Sequence, residues 1–505
     1  MVFEPNFTKV VSSVRKNIGS TQSVVELKLP TDENNISKVY SVGAKSNITS
    51  SDINGRDVSF VGLVDFQAVF ESMGVSALDY TAEFKDRFVA DEPLDGELIV
   101  SSNVIDVNCS IVSGGIRVVA IIEVCFDLIS SQEINVLTSV NDDNVHTSTK
   151  DLEYTTYVGK AYEKFEVSGE LELSGATNVL MVTPCASLIN VEPRDNYLIV
   201  NGTLNLDICY KIGEEIDDIA TKYHSIDFSW EVALDGMTEN SFVQSEIAIL
   251  TNEIKVSTVV EDGVANMSVN VPVVYGGYVF NKNTIVAIDD LYLEGHYLSV
   301  TCENFKTISS GKTLAFKDNV SGTASVSDTA PFIDNVLGVC TNNLVVASTR
   351  IESGRLCIEG IANSTVVYFT KETATLTSVQ VEMPFSVEQK VMSGCVALVS
   401  ICLENISARS KRGKEIEVSA ELIVYSDIYD TEERCVISQV VLGEEKKKDD
   451  CSLYIYVVKP GQTIWDVAKD VSVSQDLILE QNADVELPLR GGERLVVYRP
   501  NIMQF

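Results

Sequence analysis

Histidine is nearly missing from this chain: His146, His224 and His296 are the only three in 505 residues, and none stands near another or in a His-x-x-x-His or His-x-Glu setting. That leaves little ground for a metal centre. The 11 cysteines are odd in number and scattered, with no Cys-x-x-Cys pair, which argues against a zinc knuckle or a redox motif. Gly-x-Ser-x-Gly and phosphate-loop patterns are absent too. Basic residues are scarce, 38 against 73 acidic ones, giving a formal charge of −35. Nucleic acid and anionic lipid bind through lysine and arginine, so both are disfavoured as partners. The opening Met1-Val-Phe-Glu-Pro-Asn6 lacks a basic patch followed by an apolar run, and no later stretch is apolar for long enough to span a bilayer. These absences predict a cytoplasmic, non-enzymatic protein without cofactor, metal or transmembrane segment. Its thiols are expected reduced and mostly buried. Without an export signal, triplets such as Asn47-Ile-Thr49 and Asn201-Gly-Thr203 carry no weight as glycosylation sites. The adjacent Asp289 and Asp290 are the sharpest acid/base candidate, with a solvated loop as the plainer reading.

What is present is hydrophobic content, 45%, enough to fill several cores in a chain this long. The chain repeats itself at domain length. A Val-x-x-Val step recurs at Val39/Val42, Val179/Val182 and Val336/Val339. A glycine follows, Gly62, Gly202 or Gly360, and eight residues beyond it an aromatic, Phe70, Tyr210 or Tyr368, at an offset that puts both on one face of a strand. An aromatic-centred segment comes next: Glu83-Phe84, Asp227-Phe228 and Pro384-Phe385. Inside the copies the period is two, as in Phe60, Val64, Phe66, Ala68 and Phe70, or Ile416, Val418, Ala420, Leu422 and Val424. Turns are expected at Ser113-Gly-Gly115, Glu261-Asp-Gly263 and Tyr275-Gly-Gly-Tyr278. The fold class is mainly β: three tandem β-rich domains, sandwich-like or barrel-like, at 20–160, 161–315 and 316–443. The charged run 444–451 then reads as a solvated tether, and 452–500 as a small final domain.

That last domain changes period. Tyr454 to Val458 alternates as a strand, Lys459-Pro-Gly461 turns, and Ile464, Val467, Ala468 and Val471 form the stripe of a helix that Gln462 or Thr463 can cap. Ser474 caps a second short helix carrying Leu477 and Ile478, which stops near Asn482, and Leu495 to Tyr498 close as a strand. The order is β, α, α, β.

This segment resembles a LysM domain through Val458-Lys-Pro-Gly461, Thr463-Ile-Trp465, Ala468, Leu477, Asn482 and Gly491 to Val497. The resemblance implies a shallow groove for N-acetylglucosamine polymers, with Gly461, Gln462, Thr463 and Ile464 as one lip and Asn482, Ala483 and Asp484 as the other. Gln462 stands where the family usually has aspartate. Trp465 is either an exposed anchor or a residue packing the first helix. The three upstream copies resemble SPOCS domains of spore-forming bacteria through Leu29-Pro30, the Val-x-x-Val step and the glycine-to-aromatic strand. Together the modules are similar to the SipL-type family of clostridial spore coat morphogenetic proteins. That similarity implies a mother-cell protein recruited to the forespore surface, whose LysM groove grips a SpoIVA-type coat morphogenetic protein. The alternative it leaves open is a peptidoglycan- or chitin-type glycan-binding protein of the wall or spore cortex.

Overall fold

A computed structural model describes residues 3–30, 36–72, 75–212, 219–261, 264–327, 330–373, 375–391, 395–446 and 453–498. One element order is used three times. A long strand opens each unit: β1 (Glu4–Pro30). A three-strand meander follows, β2 (Lys38–Asn54), β3 (Asp57–Glu71) and β4 (Val75–Val89), then an edge strand, β5 (Glu97–Val112), and a second long strand, β6 (Gly115–Asn141). The second unit repeats this with β7 (Val145–Ser174), the meander β8 (Ala176–Arg194), β9 (Tyr197–Ile212) and β10 (Ile219–Ala233), an edge split into β11 (Phe242–Ile249) and β12 (Lys255–Glu261), and β13 (Val264–Leu293). The third has β14 (His296–Ser325), the meander β15 (Ile333–Glu352), β16 (Arg355–Thr370) and β17 (Leu376–Lys390), the edge β18 (Cys395–Lys411) and β19 (Glu415–Glu445). The split edge in the second unit has a local cause. Pro272 in β13 has no N–H to give the ladder, and the chain leaves it there through a 3₁₀ turn, Thr251–Glu253, while Leu250 N–H donates to Pro272 O at 3.1 Å.

In each unit the meander packs face to face on a sheet made of the two long strands and the edge strand, all antiparallel. The first core joins Phe60, Val64 and Phe66 from β3 to Ile116, Val118, Ile122 and Phe126 from β6; the other two units have equivalent cores. These are sandwiches, which resolves the choice left open between sandwich and barrel. The expected boundaries at 160/161 and 315/316 cut through β7 and β14, so the units begin earlier, at Val145 and His296. The landmarks that recur in all three copies lie in the meander, and the long strand ahead of it has a polar outer half.

The landmarks themselves acquire reasons. Residues three apart on a regular strand point to opposite faces, yet Val39 and Val42 both pack on their own unit's core, as do Val179 and Val182, and Val336 and Val339. A bulge between them, at Tyr40, Leu180 and Leu337, supplies the extra residue. The bulged side chains, Tyr40, Leu180 and Leu337, are thereby thrown to the other face, where they meet Val69, Cys209 and Val367 in one cluster shared by all three meanders. Each recurring glycine lies opposite the recurring aromatic of the next strand: Gly62 opposite Phe84, Gly202 opposite Phe228, Gly360 opposite Phe385. A Cβ on Gly202 would stand 2.4 Å from the Phe228 ring, so the glycine is required by the ring that lies across it.

The outer halves of the long strands leave their sandwiches as three two-stranded ribbons and pack together. Val10, Ile134 and Val136, Leu152, Ala287, Phe305 and Val436 form one buried cluster to which all six long strands contribute. Hydroxyls bind the backbone across this hub: Thr155 Oγ1–H donates to Ile308 O at 2.6 Å and Thr156 Oγ1–H to Val11 O at 2.8 Å. Below it the units meet at a buried polar junction. Arg15, 4% exposed, pairs with Asp127 of its own unit and donates to Gln244 Oε1 of the second at 2.7 Å, and Tyr429 of the third donates to Arg15 O.

Three expectations fail. Tyr275-Gly-Gly-Tyr278 is no hairpin turn but mid-strand in β13, paired with β7 and β11 on both sides. There the missing Cβ atoms make room for the Glu246 side chain and the Tyr275 hydroxyl. The thiols are not mostly buried: Cys109, Cys302 and Cys435 are exposed, while Cys185 and Cys402 stand sulfur to sulfur between the second and third units. The run 444–451 is not a plain tether, because β19 extends to Glu445 and Lys446 N–H donates to Gly295 O at 2.7 Å. Residues 447–452 lie outside the described ones, as do Asp262 and Gly263 of the expected turn. Ser113-Gly114 does close a hairpin, with Gly114 at φ +76°. Among the described residues, no helix is long and apolar enough to cross a membrane.

Candidate functional site

The C-terminal module runs β20 (Leu453–Val457), α1 (Ile464–Val471), α2 (Gln475–Gln481) and β21 (Arg494–Tyr498), with β20 and β21 paired antiparallel. Its core holds Val458, Val467, Ala468, Val471, Ile478, Leu495 and Val497. Thr463 caps α1 in a capping box: Asp466 N–H donates to Thr463 Oγ1, and Thr463 N–H donates to Asp466 Oδ2 at 2.7 Å. Those bonds from Thr463 hold the Asp466 carboxyl below the usual range. Ser474 caps α2 by accepting from Leu477 N–H at 3.1 Å.

The eight residues assigned to the groove divide by what their side chains do. Gln462 holds the module's own turn: Lys459 N–H donates to its Oε1 at 2.9 Å, and its Nε2–H donates to Asp470 Oδ2 at 3.1 Å. The glutamine side chain thereby closes the module's own turn. Asn482 ties α2 to the closing strand, donating to Ile478 O and Val496 O at 2.8 Å each and accepting from Val496 N–H. Thr463 is committed to the cap. Gly461, at φ +83° with open space around it, and Ala483 and Asp484 are exposed, while Ile464 is half-buried against the module core.

Trp465 has a partner 175 residues away. Its indole N–H donates to Asp290 Oδ2 at 2.8 Å, and Lys469, one turn on, reaches Asp290 Oδ1 at 2.5 Å. Tyr292, two residues beyond Asp290 on β13, sits in the module's core, donates from its hydroxyl to Val473 O at 2.8 Å, and meets the Trp465 ring edge-on at 5.0 Å. Lys446 also bonds Ser472. The module is thus mounted on the ribbon of the second unit. Burial raises the Asp290 carboxyl, but the hydrogen bonds from Lys469 and Trp465 outweigh it and leave the group below its ordinary range. The pair Asp289/Asp290 is accordingly neither a dyad nor a solvated loop: a bulge at Ile288/Asp290 turns Asp290 toward the module. Sequence reasoning missed this docking contact, and nothing near Asp290 in the chain signals it.

Chemistry elsewhere is sparse. His146 bonds Glu294 at 2.8 Å and stacks on Tyr292 at 4.9 Å. No group of three or more potential metal ligands occurs among the described residues.

No curated protein and no solved structure matches the chain. One family model does, over the second meander, its edge strands and the start of β13: residues 175–267 are similar to the family described as SipL, SPOCS domain.

Proposed function

We propose that the chain is a non-enzymatic scaffold of spore coat assembly, in which three SPOCS-type units carry a LysM module that binds a SpoIVA-type coat morphogenetic protein at the forespore surface. The match of residues 175–267 to the SPOCS domain carries this reading. It is supported by the threefold use of the same element order, which extends the likeness of the second unit to its neighbours. A scaffold assembled from one repeated unit offers several related surfaces and needs no catalytic group. In this reading the protein acts in the mother cell, on the outer side of the forespore.

The module's lips favour protein over glycan as ligand. Gln462, Thr463 and Asn482, three of the polar side chains that a sugar would draw on, already bind the module's own backbone. Backbone groups near Gly461 with apolar neighbours Ile464 and Trp465 suit a protein loop, whose buried centre supplies most of the affinity. Co-precipitation of the full chain with a purified SpoIVA-type ATPase, beside insoluble peptidoglycan, tests this. Capture by the ATPase that is lost on deletion of residues 451–505 is expected. Retention on peptidoglycan with the ATPase left in solution would replace the coat reading with the wall-binding one.

A further inference from the structure

Asp290 touches the module as a ligand touches a receptor. One carboxylate oxygen accepts from the Trp465 indole and the other from the Lys469 ammonium, and the Tyr292 ring and hydroxyl are seated on the same module two residues along the strand. Both module donors project from one face of α1, one turn apart. The strand that presents the carboxylate is bulged at that point, so its pointing is built in rather than a by-product of regular pairing. The contact is also open to water: the Lys469 and Asp290 side chains keep 43% and 36% of their exposure. A half-solvated charge pair is weak and exchangeable.

We propose that Trp465 and Lys469 form a carboxylate-recognition site on the module, filled in cis by Asp290, and that a protein partner docks there with an acidic side chain in place of the Asp290 carboxylate, Tyr292 keeping its seat in the module. This rests on the reading of the module as the partner-binding element, and it names both the chemistry of the partner's segment and the contact that restrains it. The docked state is the restrained one, since Asp290 is tethered at high effective concentration and a partner must displace it. Removing the cis carboxylate lifts that competition.

Two measurements on the full chain carrying Asp290→Ala test the proposal. In the first, 19F-labelled tryptophan reports on Trp465, with Trp230 as an internal control for folding. Acetyl-Ala-Asp-Ala-amide shifts the Trp465 signal saturably in the variant, much less in the wild type, and the Ala-Asn-Ala peptide does not. No shift in the variant, or an equal shift with the asparagine peptide, overturns the carboxylate site. In the second, binding to the SpoIVA-type ATPase strengthens about tenfold in Asp290→Ala, and adding Lys469→Ala removes the gain. Unchanged or weakened ATPase binding with the Trp230 signal intact overturns the restraint and makes Asp290 a mounting contact. If the peptide binds as expected but neither chain captures the ATPase, the carboxylate site stands and the coat-assembly reading fails.

Discussion

The main core of each sandwich is filled from within its own unit, whereas the hub is filled by all three. In the first core, Phe60, Val64 and Phe66 face Ile116, Ile122 and Phe126, all between residues 4 and 141. In the hub, Val10, Leu152 and Phe305 meet although they are far apart in the chain. The cores are almost wholly apolar; the hub ends in a junction with a buried arginine and carboxylates. The difference teaches that stability within a unit and cohesion between units rest on separate sets of residues, so mutations should be able to tell them apart.

The largest effect is expected at Phe305, 2% exposed in the shared cluster. Phe305→Ala removes a ring that all three ribbons surround and should cost about 3–5 kcal/mol. Because that ring belongs to no single sandwich, protection from hydrogen exchange should fall in the outer halves of β1, β7 and β14 together. A loss confined to the third unit would mean that the hub is an assembly of independent ribbons.

The second effect separates the regions by pH. Asp427, fully buried, accepts from Ser245 N–H and Thr313 Oγ1–H at 2.6 Å each. Burial pushes its carboxyl up to about 7, against the pull of those hydrogen bonds and of Arg15. A carboxyl raised in the folded state favours folding while it is protonated. Its contribution is whole below the unfolded value near 4 and is lost as pH rises through about 7. Asp207, pushed by burial up to about 6, acts in the same direction. Stability from urea titrations should therefore fall between about pH 4 and 7, by on the order of a few kcal/mol, and Asp427→Asn should flatten most of that slope. A slope unchanged in the variant would move the pH sensitivity out of the junction.

How far the sequence discloses each region follows the same line. Alternation over Phe60 to Phe70 and Ile416 to Val424 reveals the half-buried strands because each strand's own period records which face is inside. Gly202 and Phe228 are visible as recurring landmarks, but their pairing across β9 and β10 is a matter of register, which the period leaves undetermined. The hub is harder still. Ser12, Thr155 and Thr307 are buried polar residues whose only reason to be inside is another unit's strand. In the module the helices, their caps and the buried stripe follow from spacing within some forty residues. The partner of Trp465 does not, since a bulge in a distant strand decides where Asp290 points.

The smallest expected effect tests whether the module shares the hub's cohesion or merely leans on it. Thr463 is the N-cap of α1, accepting from Asp466 N–H at 3.2 Å, and Asp466 returns the bond to Thr463 N–H. Thr463→Ala leaves one of the helix's first amides without its side-chain acceptor, at a cost of about 1 kcal/mol. Thr463→Ser keeps the acceptor and should restore most of it. The module is joined to the rest through Tyr292, the half-solvated Asp290 contact and the Lys446–Ser472 bond, whereas six long strands meet around Phe305. Faster exchange is therefore expected at the amides of Ile464 to Val471, with Val10, Leu152 and Phe305 keeping their protection. If the alanine variant instead lowered protection across the ribbons, Tyr292 would be transmitting the module's stability into the hub. The module would then have to be counted as a fourth structural member of it.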